Sequence, residues 1–243
     1  MISWFQSLRK QKDALSKPLR KMLSRDDVDD TTKVALEDLA PSIRHFLGLV
    51  AYLQLEVFEA ASRAMAAAPN LAAKETLSTA AGLALAKHQA FIEEIRKRGL
   101  EPESVMRPFT PSIDEYIERI ETGDWIEMVL NVYLVSGIFD AFFAELADGV
   151  KDSYAKEAKE VLAGETGRDQ VAELLSATIA SDATVGDRLA LWGRRLVGDS
   201  LLIARSALVL SDNPTDDNQK IEPVFSELIA THIRRMDALG LTA

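Results

Sequence analysis

The chain has 243 residues, is rich in Ala, Leu, Glu, Arg and Lys, and carries a formal net charge of −10. The lack of cysteine excludes disulfides, thiolate nucleophiles and zinc fingers, and an acidic chain is a poor general surface for nucleic acid, because phosphate contacts require Lys and Arg. No apolar run approaches the roughly 20 residues that cross a bilayer, and the N-terminus lacks the residue order of a signal peptide. We therefore predict a cytoplasmic protein with no membrane span.

Residues 1–34 form a predicted basic amphipathic arm. Residues 1–25 carry seven Lys and Arg against Asp13 alone, whereas the rest of the chain holds a net charge of −16. Apolar residues such as Trp4 and Leu8 lie between these charges. The arm could bind RNA, an anionic membrane or the acidic body of its own chain. We expect the last, because the opposite charge is already present in the same molecule.

Residues 35–243 form a predicted helical domain, in which apolar residues recur at helical spacing in six segments. The six predicted helices span about residues 41–68, 71–98, 124–148, 151–180, 184–211 and 221–238, and the fourth is expected to be interrupted or softened near Gly164 and Gly167. Asp124 is the expected N-cap of the third helix. The connection at residues 100–122 contains three prolines and a short predicted helix at 112–121, and residues 212–219 are predicted to form a loop.

The order of these segments predicts the fold class. No segment alternates with the period of two that a strand requires, so we predict an all-α protein. A helix pair, a long connection and a second helix pair match a ferritin-like four-helix bundle with a long crossover between helices 2 and 3. The remaining segments then form additional C-terminal helices.

Six positions at the centre of the predicted bundle repeat between its two halves, with steps of 29 and then 3 residues. They are Glu56, Leu85 and His88 in the first half, and Ser136, Glu165 and Arg168 in the second. Two helix pairs that each supply a carboxylate and then a carboxylate-x-x-His can bind two metal ions between them. Leu85, Ser136 and Arg168 are unsuited to a hard metal. The pattern therefore indicates the fold but argues against its metal chemistry.

Two stretches carry a family resemblance, Asp124–Gly137 and the more specific LALWGRRLVG of Leu189–Gly198. They resemble an actinobacterial ferritin-like family related to the tRNA 2-methylthio-N6-isopentenyladenosine hydroxylase, and the resemblance covers roughly residues 35–240. It implies a ferritin-like helical fold. In members with complete motifs it also implies a carboxylate-bridged di-iron centre that activates oxygen.

Half of the metal-binding pattern that the resemblance implies is missing from this chain. The matching residues are Glu56, His88 and Glu165. Leu85 replaces a glutamate, Ser136 an acidic residue and Arg168 a histidine. Because Arg168 is a permanent cation, we predict that its planar guanidinium binds Glu165 and Glu56 together, in place of the metal ions.

These observations favour a ferritin-like protein with a degenerate, metal-free di-iron site, no cofactor, and a binding or structural role. We expect a homodimer that associates through exposed helix faces. One alternative is an oxygen-activating hydroxylase of the tRNA-modifying type, with iron held by Glu56, His88 and Glu165. Another is a small-molecule binder that uses the space beside Leu85 and Ser136.

The last predicted helix also carries a polar cluster, which we interpret as a solvated helix face. Its members are Glu227, His232, Arg234 and Arg235.

Overall fold

The computed structural model describes residues 38–211 and 213–242, and helices follow one another through this part of the chain. Their order is α1 (Ile43–Ala66), α2 (Leu71–Lys97), α3 (Pro102–Met106), a 3-10 turn (Arg107–Phe109), α4 (Thr110–Ile120), α5 (Trp125–Gly149), α6 (Ala155–Ala163), α7 (Arg168–Ser181), α8 (Ala183–Ser206) and α9 (Pro214–Ala238). No strand occurs within these ranges. The all-α prediction is confirmed for the described residues, and the predicted arm at residues 1–34 lies outside them.

Helices α1 and α2 form the first antiparallel pair, close to the predicted bounds. The Ser42 side chain accepts a hydrogen bond from the His45 backbone N–H at the start of α1. The Asn70 side chain accepts one from the Ala73 N–H (2.9 Å) at the start of α2. Both caps satisfy N–H groups that have no partner within the helix. After α2, Gly99 has a φ of 69°, a left-handed conformation that glycine adopts without strain.

The crossover between α2 and α5 is more helical than predicted. Prolines at 102, 108 and 111 occupy first or second helical positions, where the missing N–H costs nothing, so they start helices rather than prevent them. The crossover packs tightly on α1 at Gly48. A Cβ atom there would lie 2.2 Å from the carbonyl oxygen of Val105, so only glycine fits.

Helix α5 is the core of the domain and is buried around most of its circumference. Asp124 caps it as predicted, accepting hydrogen bonds from the N–H groups of Ile126 (3.1 Å) and Glu127 (3.3 Å). By length and composition α5 could cross a membrane, contrary to our expectation that no segment would be apolar enough, and 78% of its most apolar window is buried against the protein. Surrounding helices thus account for its apolar surface.

The second half of the domain follows the prediction in one place and departs from it in another. The interruption predicted near Gly164 and Gly167 in the helix at 151–180 is a full break into two helices, because the chain turns at residues 164–167, where Gly167 has a φ of 67°. The predicted loop at 212–219 was wrong, since α9 begins at Pro214. Proline at the first helical position followed by acidic residues in the first turn favours a helix N-terminus.

Helix α8 contains the LALWGRRLVG stretch and packs against α5 and α9 through it. The indole N–H of Trp192 donates to the side-chain oxygen of Asn131 (2.6 Å). A Cβ at Gly193 would lie 2.5 Å from Met236, so glycine permits the close approach of α8 and α9. The Arg195 guanidinium lies 5.3 Å from the Trp192 ring centroid. This stretch therefore holds three helices together.

Candidate functional site

A buried network of polar side chains lies between α1, α2 and α5. We call it the Lys87 network and its location the bundle centre. The Lys87 ammonium group donates to Asp140 Oδ2 (2.8 Å) and to the backbone carbonyl of Leu162 at the end of α6 (2.8 Å). The side-chain N–H of Gln54 donates to Asp140 Oδ1 (2.8 Å). Exposures of 3% for Gln54 and 6% for both Lys87 and Asp140 place the network in the protein interior. Both oxygens of the single carboxylate are thus bound.

Helical spacing explains why a lysine lies in the interior. Lys87 follows the buried Ala84 by three residues and precedes the buried Phe91 by four, so it lies on the buried face of α2. A buried ammonium or carboxylate alone would carry a large desolvation cost. Here each charge offsets the other, and the neutral Gln54 amide and Leu162 carbonyl provide one further hydrogen bond to each.

The residues of this network do not fit a di-iron centre. Two iron ions require several carboxylates and imidazoles that neutralise and bridge them. The network supplies one carboxylate, one neutral amide and one cation, and the ammonium group is bonded to the carboxylate that a metal would need. No group of three or more His, Asp or Glu suited to a metal ion is found within the described ranges.

Glu56 faces the crossover. It neighbours Tyr52, whose hydroxyl donates to Asp114 on α4. Burial, together with the nearby carboxylate of Glu59, raises the pKa of Glu56. Tyr52 also hydrogen-bonds Glu56, which acts in the opposite direction. Glu56 therefore belongs to an acidic group between α1 and α4 and lacks the predicted arginine partner.

Three other predicted positions lie on half-buried surfaces of the helices. His88 uses Nδ1 to donate a hydrogen bond to the Ala51 carbonyl oxygen (2.8 Å), which joins α2 to α1. The Ser136 hydroxyl donates to the Val132 carbonyl within its own helix (2.6 Å). Leu85 contributes no polar atom. The structure gives His88 and Ser136 partners on the protein backbone.

Glu165 and Arg168 are separated from Glu56 by the break in the predicted fourth helix. Glu165 is exposed in the turn between α6 and α7, and Arg168 is the first residue of α7. The Arg168 Nε atom is buried and has no hydrogen-bond partner. The predicted binding of Arg168 to Glu165 and Glu56 was therefore wrong, because the helix needed to place Glu165 inward ends at Ala163. Metal binding by Glu56, His88 and Glu165 stays a prediction.

A second polar cluster, the Arg–His cluster, consists of Tyr133, Arg168, His232 and Arg235 beside Gly137. A Cβ at Gly137 would lie 2.7 Å from the Arg235 guanidinium carbon, so glycine at this position makes room for the arginine. Both ring nitrogens of His232 and Nη1 of Arg235 are buried without a hydrogen-bond partner in the part of the chain that the structure describes. The cluster thus combines the buried His232 and Tyr133 with two half-buried arginines, and it has unsatisfied polar atoms.

Burial and like charge set the electrostatics of the Arg–His cluster. Burial lowers the pKa of Arg235 to about 10, and the positive charge of Arg168 contributes to the shift. Burial lowers the pKa of His232 to about 4, again with a contribution from Arg235. The ring is therefore neutral at pH 7.

The interpretation of the C-terminal polar cluster as a solvated face holds for only part of it. Arg234 and Glu227 are exposed and paired with each other (2.5 Å). His232 is 2% exposed, and Arg235 is half-buried. The buried Leu228 and Met236 flank His232 at four-residue spacing, a signal that could have identified the inward face from the sequence. Lys87 was missed for a related reason, since lysine is rarely an interior residue.

Comparison with known proteins identifies the family. The family described as "Ferritin-like domain, actinomycetes" matches residues 39–213. A search of curated proteins found no match. The family match spans α1 to α8 and includes every residue of the Lys87 network. Because it covers well over half of the 243 residues, the chain belongs to the actinomycete ferritin-like domain family, and the predicted ferritin-like helical bundle is confirmed.

Proposed function

We propose that this protein is a metal-independent member of the ferritin-like family with a binding or structural role. The observation that supports the proposal most strongly is the ion pair between Lys87 and Asp140 at the bundle centre (2.8 Å). The Lys87 ammonium supplies the positive charge that stabilises a buried carboxylate, as a metal ion would in a metal-binding bundle. A metal ion at this level would face a fixed cation and would have to displace it from Asp140.

The same network argues against an oxygen-activating role in this chain. The hydroxylase alternative requires iron, with Glu56, His88 and Glu165 as the proposed ligands. Glu56 neighbours Asp114, Glu165 is exposed in a turn, and His88 is bonded to Ala51. No contact of the described residues brings these three side chains together. An iron-dependent activity on tRNA is therefore the alternative against which the proposal is tested. A cytoplasmic location and a homodimer remain our expectations.

Iron loading tests the proposal. The full chain would be incubated anaerobically with excess ferrous iron, desalted, and analysed for iron per chain and for absorbance in the near-ultraviolet. We expect no stoichiometric iron and no ligand-to-metal absorption band. About two irons per chain, retained through desalting, would contradict the proposal and favour the hydroxylase alternative.

Two variants show at which level of the bundle a metal could be bound. The double substitution Gln54→Glu with Lys87→His would place a glutamate, a histidine and the native Asp140 at one level. We expect this variant to bind a divalent metal, because it supplies neutral and anionic donors in place of the ammonium. The triple substitution Leu85→Glu, Ser136→Asp and Arg168→His alters the levels predicted from the sequence. This triple variant should bind less metal than the double variant does, since Glu165 lies in the turn between α6 and α7.

A further inference from the structure

The Arg–His cluster differs from the bundle centre in that its two arginines have no salt-bridge partner among the described residues. Burial raises the pKa of the Tyr133 hydroxyl, and the positive charges of Arg235 on α9 and Arg168 on α7 partly oppose this shift. Neither arginine forms a salt bridge with any residue of the described ranges. Asp140, a buried carboxylate whose charge acts on Arg235, is already bonded by Lys87 and Gln54. The cluster therefore has an excess of positive charge.

The unsatisfied atoms of this cluster come from two helices, α7 and α9. The Nε of Arg168, the Nη1 of Arg235 and both ring nitrogens of His232 are buried and lack partners among the described residues. Buried polar atoms are nearly always hydrogen-bonded, and an unsatisfied group costs about 1–3 kcal/mol, more if it is charged. Two unsatisfied arginines in one region are therefore difficult to explain as packing alone.

The N-terminus of α7 adds further donors at Arg168. The 14-residue helix begins after Gly167, which has no side chain to cap it, and the structure shows no side-chain hydrogen bond at this N-cap. Helix N-termini carry free N–H groups and a partial positive charge. Asp169 lies in the first turn but is exposed. The free backbone donors thus adjoin the side chain of Arg168.

We propose that Arg168, Arg235 and Tyr133, with the N-terminus of α7, form a binding site for a small oxyanion, namely the phosphate or carboxylate group of a small molecule. The guanidinium fork matches both groups with paired hydrogen bonds. An oxyanion between the two arginines would neutralise their repulsion and satisfy the free donors. His232, 2% exposed and three residues before Arg235 on α9, adds a neutral ring with unsatisfied nitrogens. Gly137 leaves the space that the Arg235 guanidinium occupies.

The site is independent of metal binding at the bundle centre, so the two proposals can fail separately. The test is a titration of the full chain, followed by calorimetry and thermal unfolding. The probes are inorganic phosphate and, in a separate arm, succinate, at ionic strength held constant with sodium chloride. We expect at least one probe to bind near one per chain and to raise the unfolding temperature beyond the chloride reference. Phosphate binding alone would identify a phosphate site, and succinate binding alone a carboxylate site.

Three variants separate this site from a general surface effect. Arg235→Met should weaken binding at least about tenfold, because it removes a charge-assisted pair of hydrogen bonds. Gly137→Ala should also weaken binding, since the added methyl group displaces the guanidinium. Arg234→Gln is the matched control, because Arg234 is exposed and bonded to Glu227. Its affinity should equal that of the wild type.

The proposal is overturned if neither probe stabilises the wild type more than chloride does. It is also overturned if Arg234→Gln weakens binding as much as Arg235→Met, since binding would then report surface charge. If Arg235→Met fails to fold, Arg168→Gln provides the same comparison at the other arginine. Unchanged affinity in that variant would contradict the site.

Discussion

The bundle centre, which contains Asp140, and the Arg–His cluster differ in how their buried charges are compensated. At the bundle centre, Lys87 and Gln54 use both oxygens of Asp140, and Lys87 also bonds the Leu162 carbonyl. In the Arg–His cluster, Arg168, Arg235 and His232 leave polar atoms without partners. In the first arrangement the two charges are paired with each other. The second becomes complete only when something else binds.

This difference bears on what each region contributes. A satisfied buried network adds specificity to the packing of helices, and removing one member of it leaves an uncompensated charge. An unsatisfied cationic region carries an electrostatic cost in the free protein, and a ligand that removes this cost gains affinity. The bundle centre therefore supports the fold, whereas the Arg–His cluster is better suited to binding.

The largest effect is expected from Lys87→Met, which breaks the bundle centre. Asp140 would remain buried without a cation, so the free energy of unfolding should fall by about 3–5 kcal/mol. Equilibrium urea unfolding followed by circular dichroism measures the change. The control is Lys74→Met at an exposed position of the same helix, which should change stability by less than about 0.5 kcal/mol. Similar stability in both variants would show that Lys87 is not held as an ion pair.

The next largest effect is expected in the pH dependence of protein stability, through His232 in the Arg–His cluster. Burial keeps the pKa of His232 at about 4, against an ordinary value of 6.5, so the unfolded state binds more protons between these values. Stability should therefore fall as the pH drops from 6.5 through 4, by on the order of 2–3 kcal/mol from this residue.

Replacement of His232 by leucine should remove that part of the pH dependence. Unfolding curves of the wild type and His232→Leu at pH 7, 6, 5 and 4 provide the comparison. The free energy of unfolding of His232→Leu, minus that of the wild type, should rise steadily as the pH falls from 7 to 4. Parallel curves would mean that His232 is accessible to protons in the folded state.

A smaller loss is expected at Asn131, a satisfied buried residue outside both regions. Its side-chain N–H₂ donates to the Ile120 carbonyl (2.7 Å) and its oxygen accepts from Trp192 (2.6 Å). Asn131→Ala should cost about 1–3 kcal/mol, because both partners lose a hydrogen bond inside the protein. Chemical unfolding measures the loss, and Trp192→Phe, which removes only one of the two bonds, should cost less. A larger loss in Trp192→Phe would show that ring packing dominates.

The smallest effect is expected from Arg235→Met in chloride buffer without an oxyanion. Removing the guanidinium ends its repulsion with Arg168 and leaves Asp140 paired with Lys87. Stability should stay the same or rise by up to about 1 kcal/mol. The thermal unfolding midpoint at pH 7 provides the measurement. A loss above about 2 kcal/mol would show that Arg235 already has a stabilising partner in the free protein.

The sequence predicted the helices well, because apolar periodicity and cap residues act locally. The Asp124 cap and the ends of α1 and α2 follow from such signals. Pro214 and the acidic residues after it were interpreted as a loop, although the same residues favour the start of a helix. That ambiguity is resolved only by packing, here through the buried Asp217, which accepts hydrogen bonds from Ser211.

The candidate site was harder to predict, because small differences in register change which side chain faces inward. His88 and Lys87 are adjacent, yet Lys87 reaches Asp140 while His88 bonds the backbone of α1. Asp140 lies one helical turn beyond Ser136, so the polar level of the bundle is displaced by one turn from the predicted level. The break at residues 164–167 then moved Glu165 to the surface. The glycines at 164 and 167 indicated an interruption of this helix, but the spacing of the polar residues assumed that the helix continued through it.

The most direct test of the central claim is a double-mutant cycle at Lys87 and Asp140. The free energies of unfolding would be measured for Lys87→Met, Asp140→Leu and the double variant. Each single variant should lose several kcal/mol, whereas the double variant should lie within about 1–2 kcal/mol of the wild type, because no buried charge remains and only Gln54 loses a partner. Additive losses in the double variant would contradict the account, since they would show that the two residues do not neutralise each other at the bundle centre.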